Sequence, residues 1–261
     1  MHSFEGKRVF VSGGSKGIGL ACAKRFANAG AKVFLSSSNE ERLSGAAASL
    51  DVLGAPESAF HASDLRSMEG CQSAADAFLA KWGGCDIFVH SAGATKGGIF
   101  PDQPDEEMVD GFALKFHAGV RLSRLLWPSL KENNGNVINI VGGFSRTPAA
   151  DFMVGGAVNA ALANFTKALG EKGLIDDVNV TWIHPGLTVT ERLETIFADR
   201  AQQQGKTAEQ VEKEAVAAEG IRRLGRPEDV AELVAYLCSP PARHIHSTGI
   251  VIDGGGAKGY Y

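Results

Sequence analysis

The 261-residue sequence has no surplus of positive charge: 26 Lys plus Arg stand against 30 Asp plus Glu, a net charge of −4. The basic footprint expected of a nucleic-acid binder is therefore missing. No run approaches the roughly 18 consecutive apolar residues of a membrane span. Residues 1–8 hold no apolar signal region. Cysteine is sparse as well. Cys22, Cys71, Cys85 and Cys238 are scattered, with no CxxC pair and no histidine at ligand spacing. They read as small buried hydrophobes of a reducing compartment, not as disulfides or metal ligands. No internal repeat, low-complexity tract or Pro/Gly-rich linker divides the chain. These absences lead to the expectation of a cytoplasmic protein without metal, membrane or nucleic acid, built as one domain over residues 1–261.

What is present is ordinary globular material, 44% hydrophobic and 21% charged. Short apolar runs rich in β-branched and aromatic residues recur at residues 8–11, 32–35, 59–62, 86–90, 136–141, 179–183 and 249–252. Most intervals between them are long enough for a crossover helix. Strands alternating with helices predict an α/β fold, a doubly wound parallel sheet of about seven strands covered on both faces. The polar stretch 199–219, DRAQQQGKTAEQVEKEAVAAE, reads as a solvated surface helix or, within residues 188–222, as a helical lid over a cleft.

The first run leads directly into Ser12-Gly13-Gly14-Ser15-Lys16-Gly17-Ile18-Gly19 and then a helical pattern. Glycines there permit a tight turn and close approach of backbone to a pyrophosphate, which the free N–H groups of the helix start receive. An acidic residue about 20 positions further on usually takes the ribose hydroxyls of NAD. Here the second strand ends in Leu35-Ser36-Ser37-Ser38-Asn39. Hydroxyls can donate to a 2′-phosphate that a carboxylate would repel, and Lys16 and Arg42 add positive charge. NADP(H) is expected over NAD(H).

With these residues in hand, the whole chain resembles a short-chain dehydrogenase/reductase, of Rossmann type. The family's glycine loop is similar to Ser12–Gly19, its adenine-contacting acidic pair to Asp64-Leu65, and its NNAG motif to His90-Ser91-Ala92-Gly93. Its PG motif is Pro185-Gly186, with Thr188 and Thr190 where members hold the carboxamide. The resemblance thus implies a cofactor set of Gly13, Ser15, Lys16, Gly17, Ile18, Gly19, Ser37, Ser38, Asp64, Leu65, Ser91, Ala92, Gly93, Asn159, Pro185, Gly186, Thr188 and Thr190. It also implies a homotetramer or homodimer packed through helices near 105–132 and 157–172.

The resemblance departs at the chemistry. Members usually reduce carbonyls with Asn, Ser, Tyr and Lys side chains. Aligned from the flanking motifs, those places here hold Lys115, Gly142, Gly155 and Asn159. Proton transfer needs a titratable group within hydrogen-bond reach, and of these only Lys115 is one. At helical spacing it would share a face with Gly111, Phe112, Ala118 and Gly119, where burial lowers an ammonium pKa. The competing reading is a lysine that snorkels to solvent. Asp151 is a second acid candidate against a solvated loop carboxylate, and Arg146 is a clamp for an acidic substrate against an exposed loop arginine. His90 and His184 read as structural residues, His90 as one that could shape the cofactor loop by hydrogen bonding its backbone, and His117 as a packing or interface histidine. Thr95, Lys96, Phe144, Leu187 and Ile196 are expected around the substrate. The expected function is an NADP(H)-dependent oxidoreductase acting on a small carbonyl, alcohol or activated double bond, with non-standard proton delivery. The alternative is a cofactor-binding sensor without turnover.

Overall fold

The computed structural model describes residues 2–93 and 95–258. Among the described residues, seven strands form one sheet: β1 (Arg8–Ser12), β2 (Lys32–Ser37), β3 (Ser58–Ala62), β4 (Ile87–His90), β5 (Asn136–Ile140), β6 (Asn179–Pro185) and β7 (Gly249–Ile252). They lie in the order β3-β2-β1-β4-β5-β6-β7, and every pairing is parallel. The chain builds outward from β1 to β3, then returns to place β4 beside β1. The ends of β1 and β4 are thus the switch point where open α/β sheets bind ligands.

Alternation along each strand feeds two cores. Val9, Val11, Val33, Leu35, Ile87 and Val89 face α1 (Gly17–Ala27), α2 (Glu40–Val52) and α9 (Pro227–Leu237). Phe10, Phe34, Phe88 and Val137 face α3 (Met68–Trp82) and α5 (Ala118–Glu132). The second core is aromatic: Phe78 meets Phe10 edge-on at 5.2 Å, Phe34 at 5.4 Å and Trp82 at 5.7 Å between ring centres. All four cysteines are buried free thiols. Among the described residues, no helix is long and apolar enough to cross a membrane.

Two local features differ from the sequence expectations. The polar stretch is not one helix. Gly205 (φ +63°) ends α7 (Glu191–Gln204) in the left-handed region, which favours glycine. A reciprocal capping box between Thr207 and Gln210 then starts α8 (Ala208–Glu219). The pair carries its own small core of Leu193, Phe197, Ala201, Val211 and Leu224, with Leu187 and Ile196 packed against it. Those last two side chains are partly buried against this core. Second, α4 (Asp105–Gly111) does not run straight into α5. A π-helical turn, Phe112–His117, joins them. Its wider winding breaks the i±3/i±4 face assumed for Lys115.

Truncating Phe78 to Ala removes the hub of the aromatic core. The expected cost is about 3–5 kcal/mol, read as a lowered midpoint in urea unfolding. A loss below ~1 kcal/mol would show that the rings do not pack as described.

Candidate active site

Three chain segments meet at the switch point. Gly13 has φ +69°, and a Cβ there would lie 2.7 Å from the Ala92 nitrogen. The glycine loop is therefore pressed onto Ser91–Gly93 by backbone contact alone. A Cβ at Gly19 would lie 2.2 Å from the Gly13 carbonyl oxygen, so the first turn of α1 closes on its own loop. Lys16 is the N-cap of α1 and makes no side-chain capping bond, leaving the first-turn N–H groups to meet an anion. Gly17 (φ +56°) faces Thr190, whose methyl would lie 3.4 Å from an added Cβ. Thr190 in turn caps α7 by accepting from the Leu193 N–H. Thr188 donates its hydroxyl to the Gly186 carbonyl, 3.0 Å away. Glycine loop, β4 loop and PG turn thus form one cradle.

At the far end of that cradle Ser37 fits a ligand. Its buried hydroxyl has no hydrogen-bond partner among the described residues, and an unmet buried hydroxyl is costly until something pairs it. Ser38 is exposed. Asp64 is also exposed and accepts from the Arg66 N–H. Leu65 is 2% exposed and sits in the aromatic core, so its side chain does not face a ligand. The two cations expected there are differently engaged: Lys16 Nζ lies 3.1 Å, and Arg42 Nη1 3.6 Å, from Glu191 Oε2. Glu191 went unmarked in the sequence because an acid in a helix's first turn already complements the helix dipole.

At the other end, His90 fixes the π-helical turn. Its Nε2 lies 2.8 Å from the Lys115 carbonyl oxygen and its Nδ1 2.8 Å from Ser12 Oγ. A carbonyl only accepts, so Nε2 carries the proton and Nδ1 accepts from Ser12. Burial pulls the imidazole down to about 4, which keeps it neutral at physiological pH. Gly119 makes room for this ring, since a Cβ there would lie 3.0 Å from it. Lys115, anchored through its backbone, lays its stem across Gly93: a Cβ on Gly93 would lie 2.9 Å from Lys115 Cγ and Cδ. The side chain is half-buried. Desolvation, with repulsion from Arg192, pulls its ammonium down to about 8.

Along α6 (Met153–Asp176) the expected vacancies are filled. The Phe152 ring lies over Gly155, with Cε1 2.0 Å from where a Cβ would stand. Asn159, 3% exposed, accepts from the Gly142 N–H at 2.6 Å and donates to the Gly155 carbonyl at 2.7 Å. Its carboxamide clamps the turn after β5. The next turn brings Ser145 to 3.3 Å from His184 Nδ1, while Trp182 donates to His184 Nε2 at 2.8 Å. His184 Nδ1 therefore carries the proton and turns it to the Gly142 backbone and the Ser145 hydroxyl. Of the remaining candidates, Asp151 is exposed, and its backbone carbonyl accepts from the Gly98 N–H. Lys96 is turned away to Glu107, 2.8 Å distant. Thr95 is 5% exposed, and His117 is exposed against Phe116. Among the tyrosines, Tyr236 lies on α9, and the other two fall outside the described residues.

A parallel seven-stranded sheet with a glycine-loop cradle at its switch point defines a dinucleotide-binding α/β protein. Residues 13–257 match the family described as enoyl-(acyl carrier protein) reductase. The 3-oxoacyl-(acyl-carrier-protein) reductase of Vibrio cholerae is 30% identical over 257 residues, covering 97% of this chain and 98% of the relative. L-sorbose reductase from Gluconobacter frateurii, complexed with NADPH and L-sorbose, superposes with a TM-score of 0.94 at 28% identity, covering 99% of both chains. A 7α-hydroxysteroid dehydrogenase complexed with NADH and 7-oxo glycochenodeoxycholic acid gives 0.89 at 25% identity, covering 99% of this chain and 97% of that one. The chain belongs to the short-chain dehydrogenase/reductase family and is an NAD(P)-dependent oxidoreductase of that type, acting on small molecules.

The ring over Gly155 predicts a specific coupling. Gly155→Ala should destabilise the protein by about 1–3 kcal/mol through overpacking. In a Phe152→Ala background the same substitution should cost almost nothing. Equal costs in the two backgrounds, measured by thermal melts, would mean the ring does not occupy that space.

Proposed function

We propose that the enzyme reduces a carbonyl or activated double bond of a small molecule with NADP(H), and that Lys115 delivers the proton. The observation that carries this reading is the half-buried Lys115 laid over Gly93 at the cofactor cradle. The nicotinamide, when bound, supplies the hydride. Lys115 Nζ gives a proton to the substrate oxygen, becomes a neutral amine and is reprotonated from solvent. A lysine desolvated toward neutrality suits that exchange. Phe152 over Gly155, and the engagement of Asn159 within α6, support the reading that no tyrosine–lysine couple works from that helix. Asp151, exposed at the mouth, stands behind Lys115 as a candidate acid.

The preference for NADP(H) is supported by the unpaired Ser37 hydroxyl and by Lys16 and Arg42, which Glu191 holds beside the cradle. The remaining cradle residues, from Gly13 to Thr190, are proposed to contact the cofactor as the family resemblance implies. Residues 1–261 are proposed to work as one domain, with the α7–α8 pair as the lid over the substrate end and α5 and α6 packing a homo-oligomer.

Lys115→Met should lower kcat/KM for reduction by well over ~10²-fold. The ammonium is the donor, so reduction by the wild-type enzyme should be full below pH 8 and fall as pH rises through about 8. That limb should vanish in the variant. Unchanged turnover removes Lys115 from the mechanism. A second reading, a cofactor sensor without turnover, is favoured by the apolar ring at Gly155. It requires tight nucleotide binding with no NADPH oxidation against a panel of ketones, enones and imines. Direct titration should give NADPH at least roughly tenfold tighter than NADH, and Glu191→Gln should tighten NADPH further by freeing both cations. Tighter NADH binding rejects the preference.

A further inference from the structure

Lys115 and Arg192 both reach the segment that follows β4, one at Gly93 and the other at Thr95. Lys115 lies against Gly93. Two residues on, the Thr95 carbonyl accepts from Arg192 Nη2 at 2.5 Å. The Thr95 methyl meanwhile abuts the end of α4, where a Cβ on Gly111 would lie 2.8 Å from it. The two cations are close enough that Arg192 repels the Lys115 charge.

Nearby acids are committed elsewhere. Glu191, beside Arg192 in sequence, turns to Lys16 and Arg42. On α4, Glu107 is taken by Lys96, and Asp110 by Arg66. Among the described residues, no carboxylate lies within salt-bridge distance of Lys115 or Arg192. A half-buried ammonium and an exposed guanidinium that flank Gly93 and Thr95 and repel one another, with no described carboxylate paired to either, is an unfavourable arrangement. It becomes favourable when an anion enters. A guanidinium offers five N–H donors in a planar fork. One is spent on Thr95, leaving enough to grip a carboxylate or phosphate in a bidentate pair.

We infer that the substrate is itself an anion, an oxo acid or oxo phosphate whose charged group is held by Arg192 while its carbonyl meets Lys115. This rests on the proposed role of Lys115, and it makes Arg192 a specificity residue. The other anion that could reach the guanidinium is the cofactor's own pyrophosphate.

The test uses the full-length enzyme saturated with NADP+, in which no hydride can pass to a ketone. Acetoacetate and 4-oxopentanoate, each against its methyl ester, are titrated by calorimetry. The acids should bind at least roughly tenfold tighter than the esters. Arg192→Ala should erase that preference and Arg192→Lys should keep part of it, with the NADPH dissociation constant within about twofold in both variants. Equal binding of acid and ester, or binding of neither, overturns the inference. So does a Arg192→Ala enzyme that loses NADPH affinity tenfold, which would assign the guanidinium to the pyrophosphate. Because binding is read without turnover, the outcome is independent of Lys115: loss of the proton-donor reading would appear in the Lys115→Met kinetics, with the acid preference standing or falling separately.

Discussion

A single neutral imidazole ties the glycine-loop end of β1 to the π-helical turn that carries Lys115. His90 closes β4, accepts from Ser12 at the end of β1 and donates to the carbonyl of Lys115. The π-helical turn is what brings that carbonyl to the ring, because its wider winding frees a carbonyl from the ordinary helical ladder. Gly119 then leaves space for the ring edge. Protonating His90 would place a second N–H against Ser12 inside the sheet. Burial opposes this by holding the imidazole pKa down to about 4. The position of Lys115 is therefore set by its backbone, which leaves its stem free to lie over Gly93.

The same economy of contact governs the cradle. Gly13 meets Ala92, and Gly19 meets Gly13, at distances no side chain would allow. Each glycine loses conformational freedom on folding, and the two parallel cores compensate by burying both faces of the sheet. The aromatic core lies directly beneath the Ser91–Gly93 loop, since Phe88 and Ala92 belong to it. Stability of the fold and definition of the site are in this sense one property.

Much of this was legible in the sequence because it is local. Apolar runs place all seven strands to within one or two residues of their observed ends, and Ser12–Gly19 carries the strand–turn–helix pattern on its face. What was not legible depends on which residues arrive from a distance. A π-helical turn leaves no periodic signature over six residues. Phe152 reads as an ordinary apolar residue until it is found over Gly155. Glu191 and Arg192 are neighbours in sequence that serve opposite ends of the cleft, one turned to Lys16 and the other to Thr95. The split of residues 199–219 into two helices had a local signal, Gly205 followed by Thr207, which composition alone obscured.

Charge balance explains why Asn159 and Lys115 belong together on the proposed reading. The corner between the β4 loop and α7 already holds two cations, Lys115 and Arg192, that repel one another. An ammonium at position 159, which is 3% exposed, would add a buried positive charge to a site that already holds Lys115. A neutral carboxamide avoids that cost. It also does what an ammonium cannot, because it accepts a hydrogen bond from the Gly142 N–H while donating to Gly155. Phe152 fills the space beside Gly155, so on the proposed reading the titratable group works from the π-helical turn.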